Sequence, residues 1–203
     1  MRTGVFISFE GIDGVGKSTQ LRLVSEKYRS LGYAVVTTRE PGGTVLGQRI
    51  REMLLDPNQN VSHAAEILLY AADRAQHIKE VILPALKAGK IVLSDRYLDS
   101  SVAYQGYGLD QDITWIRRIN QWAAADLLPD LTFCLDQDPQ TALQRTQGDR
   151  IEQRALEYYA KVRQGYQSIA AEEPERFHII NAEGTIEQVF QRIWQIIERR
   201  GFV

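Results

Sequence analysis

The segment GVFISFEGIDGVGKSTQ, residues 4–20, constrains the fold more than any other part of the chain. An apolar run of strand length, residues 4–10, leads into Gly11-Ile12-Asp13-Gly14-Val15-Gly16-Lys17-Ser18, and a helical pattern begins at Lys17. The spacing is G-x-x-x-x-G-K-[ST]. Glycines allow backbone angles that turn successive N–H groups inward, and the helix that follows adds the positive end of its dipole, so the loop is suited to hold a polyphosphate. Lys17 is expected to be exposed, supporting no core, and to reach the β- and γ-phosphates of a nucleotide, and the Ser18 hydroxyl to take Mg2+. Because the glycines fall at 11, 14 and 16, the dinucleotide fingerprint G-x-G-x-x-G is absent.

The rest of the chain continues the alternation begun there. Apolar runs at residues 33–38, 90–95, 130–136 and 176–181 read as four further strands. Several are nearly continuous apolar stretches, as expected where both faces of a parallel sheet are covered. Helical patterns run over residues 17–31, 46–55, 64–88, 113–125, 139–145, 154–172 and 186–199, and Pro84 is expected to kink the third or mark its last turn. The expectation is an α/β fold: a doubly wound five-stranded parallel sheet with helices on both faces and right-handed crossovers, in one domain over residues 1–203.

Ligands of such sheets bind beyond the carboxyl ends of the strands. The third strand ends Val92-Leu93-Ser94-Asp95, apolar residues closed by an acid, and in a phosphate-loop fold that acid supports Mg2+ directly or through water. Ser18 and Asp95 are therefore the expected metal pair. A GTPase switch protein would also carry a guanine-reading N-K-x-D segment. None is present, so a kinase that phosphorylates a small acceptor is the better branch, with the acceptor left open.

The acceptor is named only by a resemblance. FEGIDGVGKSTQ (9–20), TREPGGT (38–44), LLYAADRAQH (68–77) and DRYLDSSVAYQGYG (95–108) together closely resemble bacterial thymidylate kinases over nearly the whole chain. The resemblance implies a P-loop kinase fold with a short lid, about residues 145–154, and transfer of the ATP γ-phosphoryl group to dTMP with Mg2+. It implies an ATP site at Gly11, Ile12, Asp13, Gly14, Val15, Gly16, Lys17, Ser18 and Thr19. It implies a dTMP site at Glu40, Arg51, Tyr70, Arg74, Arg96, Ser101, Tyr104 and Gln105.

In that assignment Arg96 bridges the acceptor phosphate and the transferring group, and Arg51 is a second clamp on the dTMP phosphate. Planar cationic forks suit a reaction that needs positioning and charge stabilisation. Tyr70 stacks on thymine and Arg74 donates to its O4, an edge where cytosine would present an opposing amino group. Ser101 and Gln105 complete the base contacts, and Tyr104 crowds C2′ of the sugar. Asp13 and Glu40 match acids near the acceptor sugar and phosphate, holding Mg2+, water or the 3′-hydroxyl. The lid departs from the family: it is short, and with Gly at position 14 the catalytic arginine should come from Arg150, with Arg145 at the hinge and Arg154 as the other candidate. The expected catalytic group is Lys17, Arg96, Arg150 and Asp13.

Composition sets the outer limits. Of 24 basic residues 18 are Arg, but the net charge is −2, which argues against a nucleic-acid polymer or a membrane surface as partner. The longest stretch free of Lys, Arg, Asp and Glu, Ser100 to Leu109, is far short of a membrane span. One cysteine, Cys134, lies in an apolar run and is expected to be buried; a reducing, cytoplasmic setting follows. The three histidines have no ligand-like spacing, so no transition-metal site is expected. Family resemblance adds a homodimer built from packed helices, with the tryptophans expected in the core or the interface.

Overall fold

The computed structural model describes residues 4–144, 149–151 and 154–203. Its five strands are β1 (Phe6–Glu10), β2 (Val35–Arg39), β3 (Ile91–Asp95), β4 (Leu131–Asp136) and β5 (Phe177–Asn181). All pairings are parallel and the order is β2-β3-β1-β4-β5, with β1 central. The interior strands β1, β3 and β4 are buried almost throughout, whereas the edge strands β2 and β5 alternate or stay half-exposed. This is why the interior strands read as continuous apolar runs and the edges do not.

Period-two alternation sorts the strand side chains between two layers. Phe6 and Val92 point into one, where they pack with Ile78, Ile82, Leu86 and Tyr97. Ile7, Phe9, Ile91 and Leu93 point into the other, which is shared with Val24 and Tyr28 of α1 (Lys17–Ser30) and Ile193 and Ile197 of α9 (Ile186–Arg199). The expected doubly wound sheet is present. Thr185 opens α9 with a reciprocal capping box to Gln188, which fixes the start of that helix at Ile186.

Two helical stretches depart from the sequence reading. The expected helix over 64–88 is three pieces: α3 (His63–His77), a π-helical turn (Ile78–Ile82) and α4 (Leu83–Lys87). Pro84 is the reason, since it has no N–H to continue an i→i−4 ladder; the Leu83 N–H instead reaches the Ile78 carbonyl five residues back. The second departure is an unanticipated helix after β3, α5 (Leu98–Ser101) running into a π-helical segment Val102–Gly108. Its glycines conceal it from propensity arguments, and they serve packing: a Cβ on Gly108 would lie 2.5 Å from the Tyr158 ring of α8 (Leu156–Glu172). The remaining helices are α2 (Val45–Leu55), α6 (Ile113–Ala123) and α7 (Pro139–Leu143). Among the described residues no helix is long and apolar enough to cross a membrane. Cys134 is buried as expected. Of the tryptophans only Trp194 joins the core; Trp122 is 83% exposed.

Candidate active site

The carboxyl ends of β1 and β3 bring the phosphate loop and the Asp95-Arg96-Tyr97 turn side by side. Gly11, Gly14 and Gly16 all have positive φ (124°, 81° and 96°). At Gly11 a side chain is also excluded by space, because a Cβ would lie 2.4 Å from the Leu135 carbonyl oxygen. Ile12 and Val15 bury their side chains in the core, which leaves their backbone groups as the part available to a ligand. Gly16 caps α1 without a side-chain bond, and no acid occupies the first turn, so the dipole end is uncompensated.

Lys17 corrects an expectation. A lysine at this position reads as exposed, but its side chain is only 7% exposed and its Nζ donates to the Ile12 carbonyl at 2.8 Å. It also lies 3.8 Å from Asp13 Oδ1. Burial and the nearby Arg96 charge lower its pKa against the opposing pull of Asp13. The Ser18 hydroxyl donates to Asp95 Oδ2 at 2.7 Å, which unites the expected metal pair from positions 77 residues apart. Both line an open depression with Thr38, Gly42 and Gly43. A hydroxyl and a carboxylate are the hard oxygen donors that Mg2+ prefers, so the residues present fit that ion.

Arg96 occupies the lip between this loop and a second cavity. Its Nη2 donates to Asp13 Oδ1 at 2.6 Å and to the Tyr104 hydroxyl at 3.0 Å, and its Nη1 to the Gly11 carbonyl at 3.1 Å and to Ser100 Oγ at 3.2 Å. The Tyr104 ring lies under the guanidinium, 4.8 Å from centroid to Cζ. Burial would raise the Asp13 pKa, but the Arg96 and Lys17 charges outweigh it and hold the carboxyl at about 2.

The second cavity collects every residue of the expected dTMP set: Glu40, Arg51, Tyr70, Arg74, Arg96, Ser101, Tyr104 and Gln105, together with Asp13. They come from the end of β2, from α2 and α3, from the turn after β3 and from the 98–108 helix. Arg74 is fully buried. Its Nε donates to Glu40 Oε2 at 2.8 Å, and its Nη1 to Ser101 Oγ at 3.2 Å and to Asn120 Oδ1. Glu40 is held from its other side by His77 Nδ1 at 2.9 Å, and His77 Nε2 meets Thr38 Oγ1 at 2.6 Å. Arg51 donates to the Pro41 carbonyl at 3.1 Å. Burial and the neighbouring cations Arg39 and Arg96 lower its pKa against the opposing pull of Tyr70 and Asp149.

Three members of the expected catalytic group, Lys17, Asp13 and Arg96, form one cluster; Arg150 does not join it. Its Nη2 donates to Glu66 Oε2 at 2.7 Å and its Nε to the Leu54 carbonyl at 2.7 Å, and Arg154 reaches the same Glu66 oxygen at 2.7 Å. Arg145 and most of the expected lid lie outside the described residues.

Glu66, Asn120, His77 and Glu10 were missed from sequence. Glu66 was within reach, since it precedes Tyr70 by four and Arg74 by eight on α3 and so shares their helical face. Asn120 and Glu10 carried no signal, because their partners are distant in the chain. Glu10, at the end of β1, accepts from the Tyr97 N–H at 2.7 Å and from the Tyr166 hydroxyl at 3.1 Å.

Residues 9–193 match the family described as thymidylate kinase. A thymidylate kinase of Synechococcus sp. is 49% identical over 199 residues, covering 97% of this chain and 95% of that protein. One of Halothermothrix orenii is 45% identical over 202 residues, covering 96% and 97%. Among solved structures, thymidylate kinase from Ehrlichia chaffeensis matches with a TM-score of 0.82 at 36% identity, over 96% of this chain and 98% of that one.

Proposed function

This chain belongs to the thymidylate kinase family and phosphorylates dTMP to dTDP with ATP, and on that premise we propose how its cleft divides the work. The backbone N–H groups of residues 11–19 cradle the ATP phosphates at the open end of α1, and Lys17 moves from the Ile12 carbonyl to the β- and γ-phosphates. Ser18 and Asp95 would hold Mg2+, which would supply neutralisation of the negative charge on the nucleotide phosphates.

Arg96 is the cation between the two sites. Lining the acceptor cavity and held by Asp13, Gly11 and Tyr104 beside the phosphate loop, it bridges the acceptor phosphate and the transferring group, with Arg51 as the second clamp. The reaction needs little covalent chemistry from the protein, so a pre-oriented guanidinium supplies most of what is required: alignment and stabilisation of charge. Arg150 would have to leave Glu66 to serve as a lid cation, and we assign Arg96 the larger share. On the acceptor side Tyr70 stacks on the base, Arg74 donates to O4, Ser101 and Gln105 complete the edge, and Tyr104 closes the space at C2′. Glu40 keeps Arg74 in place.

We read residues 1–203 as one P-loop kinase domain, supported by the single sheet that all five strands share. A homodimer is supported by apolar side chains left open on adjacent helices, Leu68 (53% exposed) on α3 and Trp122 on α6. A cytoplasmic location is supported by the lone, buried, unpaired cysteine.

The observation that carries this reading is that all eight acceptor residues line one cavity whose lip is Asp13 and Arg96. ADP release measured over dTMP, dUMP, UMP, dCMP, dGMP and thymidine tests it. Highest kcat/KM with dTMP is expected, and preference for another acceptor would contradict the assignment.

A further inference from the structure

Glu66 is completely buried on α3, and its two carboxylate oxygens face different partners. Oε2 takes Arg150 and Arg154, each at 2.7 Å, and Oε1 accepts from Gln105 Nε2 at 3.0 Å. Burial alone would raise the Glu66 pKa, but the two arginines and Gln105 outweigh it, so the group stays ionised. An ionised carboxylate only accepts hydrogen bonds; a carbonyl turned toward it would be repelled. The Gln105 amide therefore has one tolerable orientation, with its amino group on Glu66 and its carbonyl Oε1 at the opposite corner. Among the described residues no donor is bonded to that Oε1, and Gln105 lines the acceptor cavity together with Arg74 and Tyr70.

We propose that Glu66 is a positioning residue for base selection: by occupying the Gln105 amino group it makes that side chain an acceptor toward the nucleobase. This rests on the reading that Gln105 touches the base. Thymine offers a proton at N3 beside an accepting O4, whereas cytosine offers an accepting N3 beside an amino group. Arg74 reads the O4 position as a donor. Gln105, turned by Glu66, reads N3 as an acceptor, and the pair complements thymine at both atoms and opposes cytosine at both.

Glu66→Gln predicts an inversion rather than a simple loss. Arg150 and Arg154 would claim the carbonyl of the substituted side chain, which leaves its amino group facing Gln105. Gln105 would then turn its own carbonyl to that amino group and present Nε2 to the base. The test compares dTMP with 5-methyl-dCMP, which has the same shape and differs only in the N3 and C4 groups.

The kcat/KM ratio of dTMP over 5-methyl-dCMP is expected to fall about tenfold in Glu66→Gln, mainly through the KM values. Glu66→Asp keeps an acceptor-only charge and should retain the wild-type ratio even if it is less stable. In a Gln105→Met background Glu66→Gln should leave the ratio unchanged. An equal fall for both acceptors, the same shift in the Gln105→Met background, or a shift with Glu66→Asp as large as with Glu66→Gln would each overturn the proposal. If Gln105→Met alone leaves the dTMP KM untouched, the underlying reading of Gln105 fails and the proposal falls with it. If Gln105→Met raises that KM while Glu66→Gln leaves selectivity intact, the proposal fails alone.

Discussion

Arg96 donates to Asp13 at 2.6 Å from a backbone held at φ 72°, a left-handed conformation that non-glycine residues seldom adopt. The turn is fixed on every side: Ser94 Oγ donates to the Arg96 carbonyl, the Arg96 N–H donates to the Phe9 carbonyl, and the Tyr97 N–H donates to Glu10. Strain of roughly 1–3 kcal/mol is thus retained at the residue proposed to bridge the two substrates. Arg96→Ala should lower kcat by about 10³-fold or more. Arg96→Lys should not restore it, because a point charge cannot replace the fork that spans Asp13 and Gly11. Single-turnover dTDP formation checks both variants; recovery with lysine would show that charge alone suffices.

Lys17 needs a two-part test because it is buried. Lys17→Ala should reduce turnover by orders of magnitude and also cost about 1 kcal/mol of stability through the lost bond to the Ile12 carbonyl. Denaturant midpoints separate the two effects. Near-normal turnover would remove Lys17 from the reaction.

Arg74 and Glu40 form a fully buried pair, so Arg74→Ala leaves a carboxylate whose remaining side-chain partner among the described residues is His77. A loss of about 3 kcal/mol is expected. Discrimination between dTMP and dCMP should fall while the KM for ATP stays near wild type. Unchanged acceptor selectivity would take Arg74 out of the base pocket.

Glu10 gives a pH signature. Burial, reinforced by the Asp99 charge, pushes its carboxyl up from 4.5 to about 8. Between those values the folded chain keeps a proton that the unfolded chain has released, so the Glu10 contribution to stability declines as pH rises through this window and levels off above about 8. Glu10→Gln removes the titration. Relative to the variant, wild type should lose on the order of a few kcal/mol between pH 5 and pH 8, measured by denaturant unfolding at both. A constant difference would show that Glu10 is ionised throughout.

The Ser18–Asp95 bond makes the proposed Mg2+ site testable. Ser18→Ala and Asp95→Asn should each raise the Mg2+ concentration needed for half-maximal rate by about tenfold or more. An unaltered Mg2+ titration in both variants would place the ion elsewhere.

What the sequence revealed follows the distance over which each feature is encoded. The phosphate loop and the five strands were legible because their residues are contiguous and their periodicity is local. The eight residues expected at the acceptor site come from motifs within the four quoted segments and the helix after TREPGGT, and they meet in one cavity. The helix over 98–108 was not legible, since its glycines suppress the local signal while packing against α8 supplies the stability. Nor were the supports: Glu66 to Gln105, Arg74 to Asn120 and Asp99 to Arg176 each join residues 39 to 77 positions apart. Such pairings depend on the finished fold. Lys17 misled for the same reason, because the loop folds over a side chain that its residue type would leave in water.

Arg96 is proposed to stand between the ATP phosphates and a thymine-reading cavity, and a crystal structure with dTMP and a non-hydrolysable ATP analogue tests that placement most directly. The expected result has the γ-phosphate within hydrogen-bond reach of Lys17 and Arg96, the dTMP phosphate on Arg96 and Arg51, and thymine against Tyr70 with O4 on Arg74. A monophosphate bound outside that cavity, or a γ-phosphate contacted by Arg150 with Arg96 still closed on Asp13, would contradict it.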